Sequence, residues 1–428
     1  MGTFIDFISL SDPTSRYVII GIILLTINAS LVGSFAFLRK KSLIGDAVAH
    51  SVLPGICLAF LLFQTKNLFI LLGGAAITGW LSILSIDLIT AHSRIKADAA
   101  IGIALSVFFA LGIVLLTIIQ NSAIASQSGL DHFLFGKAAS ITRDDVRYFA
   151  IVTLIITAVI IIFYKPFKLI SFNQDFAVSI GLPVRFYEFI LSIITVMSIA
   201  VGIQAVGVVL MAALLITPAA AARYWTNDLR IMLILAVVVS AIGGVGGAYI
   251  SYSATNMPTG PWIIVIISCI AFLSFAFAPN RGIVSKMWIQ YQNRKQILLE
   301  NILKAFYHVG EKDNSFLEMR KPEDILNRRE FSFSKLSEGL NKLKRKGLLE
   351  KQNNEWKLSS EGLSEAKRII RLHRLWELYL TQYLNIAEDH VHDDAEAIEH
   401  VLTPEIEAQL EKLLDFPSTD PHGKEIIY

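Results

Sequence analysis

Runs of about 20 apolar residues recur through the first 280 positions of this chain. That length matches a helix crossing a hydrocarbon layer about 30 Å thick, where backbone polar groups must be satisfied within the segment itself. Nine runs are predicted as spans, at about 17–38, 43–63, 67–89, 98–119, 148–164, 187–204, 206–222, 231–252 and 261–279. The sixth and seventh are short and separated by a Gly-bearing break from Gly202 to Gly207, as in a bent pair.

Charge divides the chain in the same place. Residues 1–280 hold 15 Lys+Arg and 11 Asp+Glu, whereas residues 281–428 hold 23 and 25. With a mean hydropathy of +0.56, the whole is too apolar for a soluble enzyme, and the shift near residue 280 marks a domain boundary. Cys57 and Cys269 lie inside apolar runs and read as core residues, which excludes a disulfide framework or a cysteine zinc cluster. Asp6 and Asp12 precede the first run and no small-residue cleavage site follows, so that run is read as a retained span.

Orientation comes from basic residues in short loops. One alternate set holds Arg39, Lys40, Lys41, Arg94, Lys96, Lys165, Lys168, Arg185, Arg223, Arg230, Arg281 and Lys286; the other holds Arg16, Lys66, Lys137, Arg143 and Arg147. The richer set is placed in the cytoplasm, so nine spans put the N-terminus outside and the C-terminus inside. Such a bundle serves a channel, a carrier or an ATP-driven permease. No GxxxxGK[ST] pattern occurs, so no enzymatic activity is expected of this chain and ATP hydrolysis belongs to a separate one.

Within the second run, Asp46 and His50 stand four apart and share one helix face. Ionisable groups inside a span mark function by default, and carboxylate with imidazole suits a divalent transition metal. The same spacing also serves an Asp capping its helix and a His bonded within the bundle. Asp87, His92 and His132 are read as interface or loop residues, and Gly243, Gly244, Gly246 and Gly247 as positions of close helix packing. Residues 171–186 carry Asp175 and end in Gly181-Leu182-Pro183, a short helix stopped to form a knob at the membrane face.

The segment Gly45-Asp46-Ala47-Val48-Ala49-His50 through Pro54-Gly55 resembles the signature of the ABC-type manganese/zinc/iron permeases. Arg94 through Ile103 resembles that family's cytoplasmic loop and following span. Asp175-Phe176-Ala177 to Gly181-Leu182-Pro183 resembles its ATPase-docking loop, and Gln204-Ala205-Val206-Gly207 to Thr217-Pro218-Ala219-Ala220 its late motif. The resemblance covers nearly all of residues 15–280. It implies a metal path between two permease subunits beside Asp46 and His50, an ATPase seated on the loop of Asp175, Gly181 and Pro183, and an extracytoplasmic metal-binding protein.

Past the boundary, 281–295 reads as a linker and 296–360 as a winged helix. Helices are predicted at 296–310, Lys321–Arg329 and Ser334–Lys346, with Leu336, Leu340 and Leu343 at helical spacing. Two short strands around Leu348-Leu349 and Trp356-Lys357-Leu358 follow, the outline of a DNA-reading winged helix. Residues 320–375 hold 15 basic and 8 acidic side chains; Lys335, Lys342 and Lys344 suit phosphate contacts, although a solvated face looks similar. Residues 361–428 read as helical. One helix from about Ser360 to Leu384 carries His373 and Glu377, and another from about Val391 to Leu402 carries His392, Glu396, Glu399 and His400. Histidines and carboxylates at these spacings form a candidate metal box in a segment, 376–428, with 13 acidic and 2 basic residues.

Residues 296–428 resemble the metal-dependent repressors of the diphtheria-toxin-repressor type. Arg371-Leu372-His373-Arg374-Leu375-Trp376-Glu377, His392 through Leu402, and Pro421-His422-Gly423-Lys424-Glu425-Ile426 carry the likeness. It implies one ligand cluster of His373, Glu377 and His392 and another of Glu396, Glu399 and His400, with Glu300 on the first helix as a further candidate. Glu396 stands where the iron-responsive branch has Cys, which leans toward manganese. Ile297 stands where a second first-helix carboxylate is expected.

The expected fold is therefore an all-α polytopic membrane domain of eight or nine spans, followed by a soluble winged helix with a helical metal-binding and dimerisation region. The expected function is the permease subunit of an inner-membrane ABC importer for manganese, zinc or iron. Its cytoplasmic domain senses the metal, which is both substrate and regulator. Expected partners are an ATPase subunit, an extracytoplasmic metal-binding protein, a second permease subunit, membrane lipid and, as a further candidate, DNA. The alternative is a metal-dependent transcriptional repressor, tethered or released by proteolysis around Ser285 to Gln296.

Overall fold

The computed structural model describes residues 7, 13–65, 67–121, 136, 138–254, 257–279, 281–326, 332–384 and 404–426. It divides into two compact units, Met1–Lys286 and Met287–Tyr428.

The first unit is helical. Its elements are α1 (Pro13–Leu38), α2 (Ser42–Phe63), α3 (Leu68–His92), α4 (Ala97–Gln120), α5 (Arg143–Ile162), α6 (Tyr164–Phe172), α7 (Gln174–Ser179), α8 (Val184–Val206), α9 (Val208–Trp225), α10 (Leu229–Ser253) and α11 (Thr259–Phe277). Among the described residues, eight are long and apolar enough to cross a membrane, and the apolar part of α9, Leu210–Trp225, falls short of that length. All nine expected runs are thus helical. With 18 residues, α9 spans about 27 Å at 1.5 Å per residue.

Burial ranks these helices. The apolar stretches of α1, α2 and α8 are 72%, 67% and 67% buried, whereas those of α4 and α11 are each 22% buried. The centre of the bundle is therefore α1, α2 and α8, and the second of these carries Asp46 and His50. Small residues allow the approach: Gly55 on α2 meets the backbone of Gly74 and the hydroxyl of Thr78 on α3.

Helix ends follow local chemistry. The Thr142 hydroxyl and the Asp145 carboxylate form a capping box at the start of α5. Asp228 accepts from the amides of Arg230 and Ile231 to start α10. The break between the sixth and seventh runs is narrower than the sequence suggests. Gly202 lies inside α8, packed on the Met211 sulfur, and only Gly207, at φ +90°, interrupts the helical path.

The second unit comprises α12 (Ile283–Asp313), α13 (Pro322–Leu326), α14 (Phe333–Arg345), β1 (Leu349–Gln352), β2 (Glu355–Leu358), α15 (Ser360–Leu384) and α16 (Pro404–Leu413). The stretch expected as a linker is helical from Ile283 onward, continuous with the first helix of the winged fold. β1 and β2 pair antiparallel with Leu349 opposite Leu358, turning at Asn353 with φ +54°. Leu336, Leu340 and Leu343 on α14 are buried with Ile302, Phe306, Trp356 and Ile369, so the expected apolar face is the core face.

Candidate functional site

Asp46 lies one turn into α2. Its Oδ1 is 3.5 Å from Nε2 of His50, and the side chains are 39% and 16% exposed. The His50 ring is held edge-on by Phe109 of α4, with centroids 4.7 Å apart. Nδ1 of His50 is buried and has no hydrogen-bond partner. One turn on, the Ser51 hydroxyl donates to the Ala47 carbonyl and to Ser82 on α3, fixing the roll of α2. The imidazole is thus positioned by packing on one side and faces a carboxylate on the other. Two such ligands are a partial coordination set for a divalent ion. Among the described residues no three His, Cys, Asp or Glu side chains come together as a metal site.

The start of α2 is tied to α8. Glu188 pairs with Arg39 and lies 4.0 Å from Lys41. α8 begins where the candidate docking segment ends. In that segment Asn173 caps α7 by accepting from the Phe176 amide at 3.0 Å, Gly181 ends the turn at φ +81°, and Pro183 precedes α8. Asp175 is exposed, and so are Phe172, Phe176, Val178, Ile180 and Phe186. The sequence reads this segment as polar, but its surface is largely apolar, with Ala177 anchoring it against Ile170 and Val184.

One buried polar cluster was missed from sequence because the fifth span was started at 148. Asp145 is 5% exposed. Its Oδ1 accepts from Gln204 Nε2 at 2.8 Å, and its Oδ2 from the Thr142 amide and hydroxyl at 3.0 and 2.8 Å. The Thr-x-x-Asp spacing of a capping box was the available signal.

In the second unit, His373 Nε2 lies 3.1 Å from Glu377 Oε1, and both side chains are buried. Metal bonds of about 2.1 Å to each atom fit that separation at a near-right angle, as in octahedral coordination. The first helix brings Lys304 to this pair: its Nζ is 3.4 Å from His373 Nδ1. Glu300, one turn earlier, lines a pocket of about 340 Å³ with Glu361, Glu365 and Lys346, and accepts from Gln296 at 2.7 Å. His392, Glu396, Glu399 and His400 lie outside the described residues. On α14, Lys335 and Lys344 are exposed and Lys342 is half-buried.

A half-buried chain of charged groups lies in the same unit. Arg374 donates to Glu311 at 2.7 Å, and Glu311 lies 3.3 Å from His308 Nδ1. Burial, reinforced by the positive charges of Lys304 and Lys424 against the pull of Glu311, holds the His308 imidazole down at about 4.

Comparison with known proteins supplies the family. Residues 359–428 match the domain described as iron dependent repressor, metal binding and dimerisation. The chain is 40% identical over 381 residues to the manganese transport system membrane protein MntC of Bacillus subtilis, covering 89% of this chain and 87% of that protein. It is 41% identical over 278 residues to the zinc transport system membrane protein TroC of Treponema pallidum, covering 65% and 93%. A solved structure, PsaBC from Streptococcus pneumoniae in complex with Fab, is 34% identical, covers 65% of this chain and 98% of that one, and superposes with a TM-score of 0.59. Residues 11–278 match the ABC 3 transport family, and the chain belongs to it.

Proposed function

We propose that this chain is the membrane-spanning subunit of an ATP-driven importer of a divalent transition metal, with manganese and zinc favoured by the names of its relatives. The observation that carries the reading is the Asp46–His50 pair on a central helix, with its imidazole held by Phe109. A carboxylate and a neutral imidazole bind such an ion with neither group leaving its helix face, and a second subunit or a second pair completes the coordination. The α6–α8 turn with Asp175, Gly181 and Pro183 is the seat for a separate ATPase subunit, which binds the exposed Phe176 and Ile180. An extracytoplasmic metal-binding protein delivers the ion, and the C-terminal half faces the cytoplasm.

That half senses delivered metal through His373 and Glu377, joined by His392, Glu396, Glu399 and His400, and tunes transport. Metal analysis and uptake by the purified chain with its ATPase, for wild type and Asp46→Ala, test the reading. Equal metal content and equal uptake in the two would sink the path assignment. A second reading, metal-dependent repression, is supported by the basic face of α14 beside a two-stranded wing. A gel shift with a fragment from about residue 290 separates the two, since absence of metal-dependent DNA binding leaves the winged helix as a protein-interaction module.

A further inference from the structure

The first half of α12 carries a surface that transport does not explain. Its start is fixed rather than loose. A Cβ on Gly282 would lie 2.7 Å from the Ala276 carbonyl oxygen, so the turn fits only glycine there. The Ser285 hydroxyl donates to the Ala278 carbonyl at 3.1 Å, and the Arg281 guanidinium to the Arg223 carbonyl at 3.0 Å. The helix therefore leaves the end of α11 through a tight turn, and Ile283 follows Phe277 by six positions.

Ile283, Val284, Met287, Trp288 and Tyr291 then fall within an arc of about 140° on the helix. Their exposures are 43%, 48%, 63%, 63% and 51%, so this stripe is left uncovered by the described residues. The opposite arc carries Ser285, Lys286 and Asn293, with Ile289 as its one apolar member, and Gln290 borders the stripe. Residues 281–299 contain Arg281, Lys286, Arg294 and Lys295 and no Asp or Glu. The Lys295 ammonium sits over the Tyr291 ring at 4.3 Å. An aliphatic stripe with Trp and Tyr, in a run whose exposed Lys286 and Arg294 carry positive charge while Lys295 also pairs with Glu338 at 3.7 Å, has the composition of a helix lying in the boundary between lipid headgroups and acyl chains. Two features name the occupant. The stripe begins six residues after the end of a span, where such a boundary must be, and the charge is complementary to anionic lipid.

We propose that residues 283–291 form an interfacial helix on the membrane that α11 crosses, with the Ile283–Tyr291 stripe in the acyl boundary and the flanking basic side chains on acidic headgroups. The inference needs only that α11 spans a bilayer.

The test uses the full chain with Cys57→Ser and Cys269→Ser, reconstituted in nanodiscs of phosphatidylcholine with or without about 30% phosphatidylglycerol. A fluorescent thiol label is placed at Met287→Cys or Tyr291→Cys on the stripe, or at Ile289→Cys or Asn293→Cys opposite. Spin-labelled lipid should quench the stripe labels at least about twofold more strongly than the opposite ones. The contrast should grow with phosphatidylglycerol. Equal quenching on both faces overturns the proposal. So does shielding of the stripe that appears only when the ATPase is added, or only at chain densities that give dimers, since the occupant is then a protein. A label at Phe272→Cys on the exposed face of α11 must be quenched throughout; if it is not, the membrane reading itself fails.

Discussion

The contact of Gly55 with Gly74 decides where the helix of Asp46 and His50 can sit. A Cβ built on Gly55 lies 2.1 Å from the Gly74 carbonyl oxygen and 2.3 Å from the Thr78 hydroxyl, whereas ordinary contact begins at 3.4 Å. Gly55→Ala thus requires α2 and α3 to part by about 1.3 Å. The nearest obstructing atom is helix backbone, which cannot turn aside as the Thr78 hydroxyl can, so the cost lies at the upper end of overpacking, about 3 kcal/mol. Gly74→Ala meets the Gly55 carbonyl at 2.3 Å and should cost the same, and the double variant should cost less than the sum, because one separation relieves both. Gly73→Ala, whose Cβ has nothing within 4 Å, is the control. Thermal unfolding of the purified chain in detergent should show a loss of several degrees for Gly55→Ala and none for Gly73→Ala. Metal uptake should fall more than stability does, since metal ligands tolerate about 0.2 Å and His50 lies five residues away on the displaced helix. A Gly55→Ala chain that melts and transports like wild type would refute the reasoning.

Three further outcomes are expected. Asp145→Ala strips the Gln204 amide and the Thr142 amide of a buried acceptor; it should cost about 3 kcal/mol, read by denaturation in detergent, and Gln204→Leu should cost less, because Asp145 keeps its Thr142 bonds. Gly181→Ala meets no atom within 4 Å but keeps φ at +81°, at a cost of about 1 kcal/mol; with Phe176→Asp, which puts a charge on the exposed knob, it should weaken ATPase co-purification and leave metal binding by the chain intact. The His308 imidazole stays neutral to about pH 4 in the fold, whereas the unfolded chain takes up that proton near 6.5. Stability of the second unit should therefore fall as pH drops through that window, by up to about 3 kcal/mol, and His308→Gln should flatten the profile when unfolding is followed from pH 7.5 to 4.

The spans were legible because a bilayer imposes length and apolarity on every crossing helix, so the nine runs needed no tertiary information. Their ends were less so. Charged Arg143, Asp144 and Asp145 hid the first turn of α5, although Asp145 is buried where the Gln204 amide, 59 residues away, donates to it. The α7 knob shows the converse, since Phe176, Val178 and Ile180 count as buried types by composition and only the fold leaves them outside. In the second unit, helical spacing places both Glu300 and Lys304 on one side of α12. The phase of that side against α15 is set by packing of Ile302, Leu303 and Ile369, which brings the Lys304 amine to His373. Sequence periodicity defines faces, and tertiary packing selects which residue of a face meets its neighbour.

These contacts also define a route from the proposed motor seat to the metal pair. α8 starts at Val184, directly after the turn of Gly181 and Pro183, and Glu188 lies in its second turn. Glu188 holds Arg39 and Lys41, and Lys41 precedes Asp46 by five residues on the entry to α2. From there α2 is rigid: Ser51 is bonded to Ser82, and Gly55 abuts Gly74. The proposed coupling from the knob to Asp46 would cross the Glu188 ion pairs and the turn of Arg39, Lys40 and Lys41 that leads into α2. An ion pair is the element in that route that separates without breaking the core, which makes Glu188 the place where a push on α7 either moves α2 or is lost.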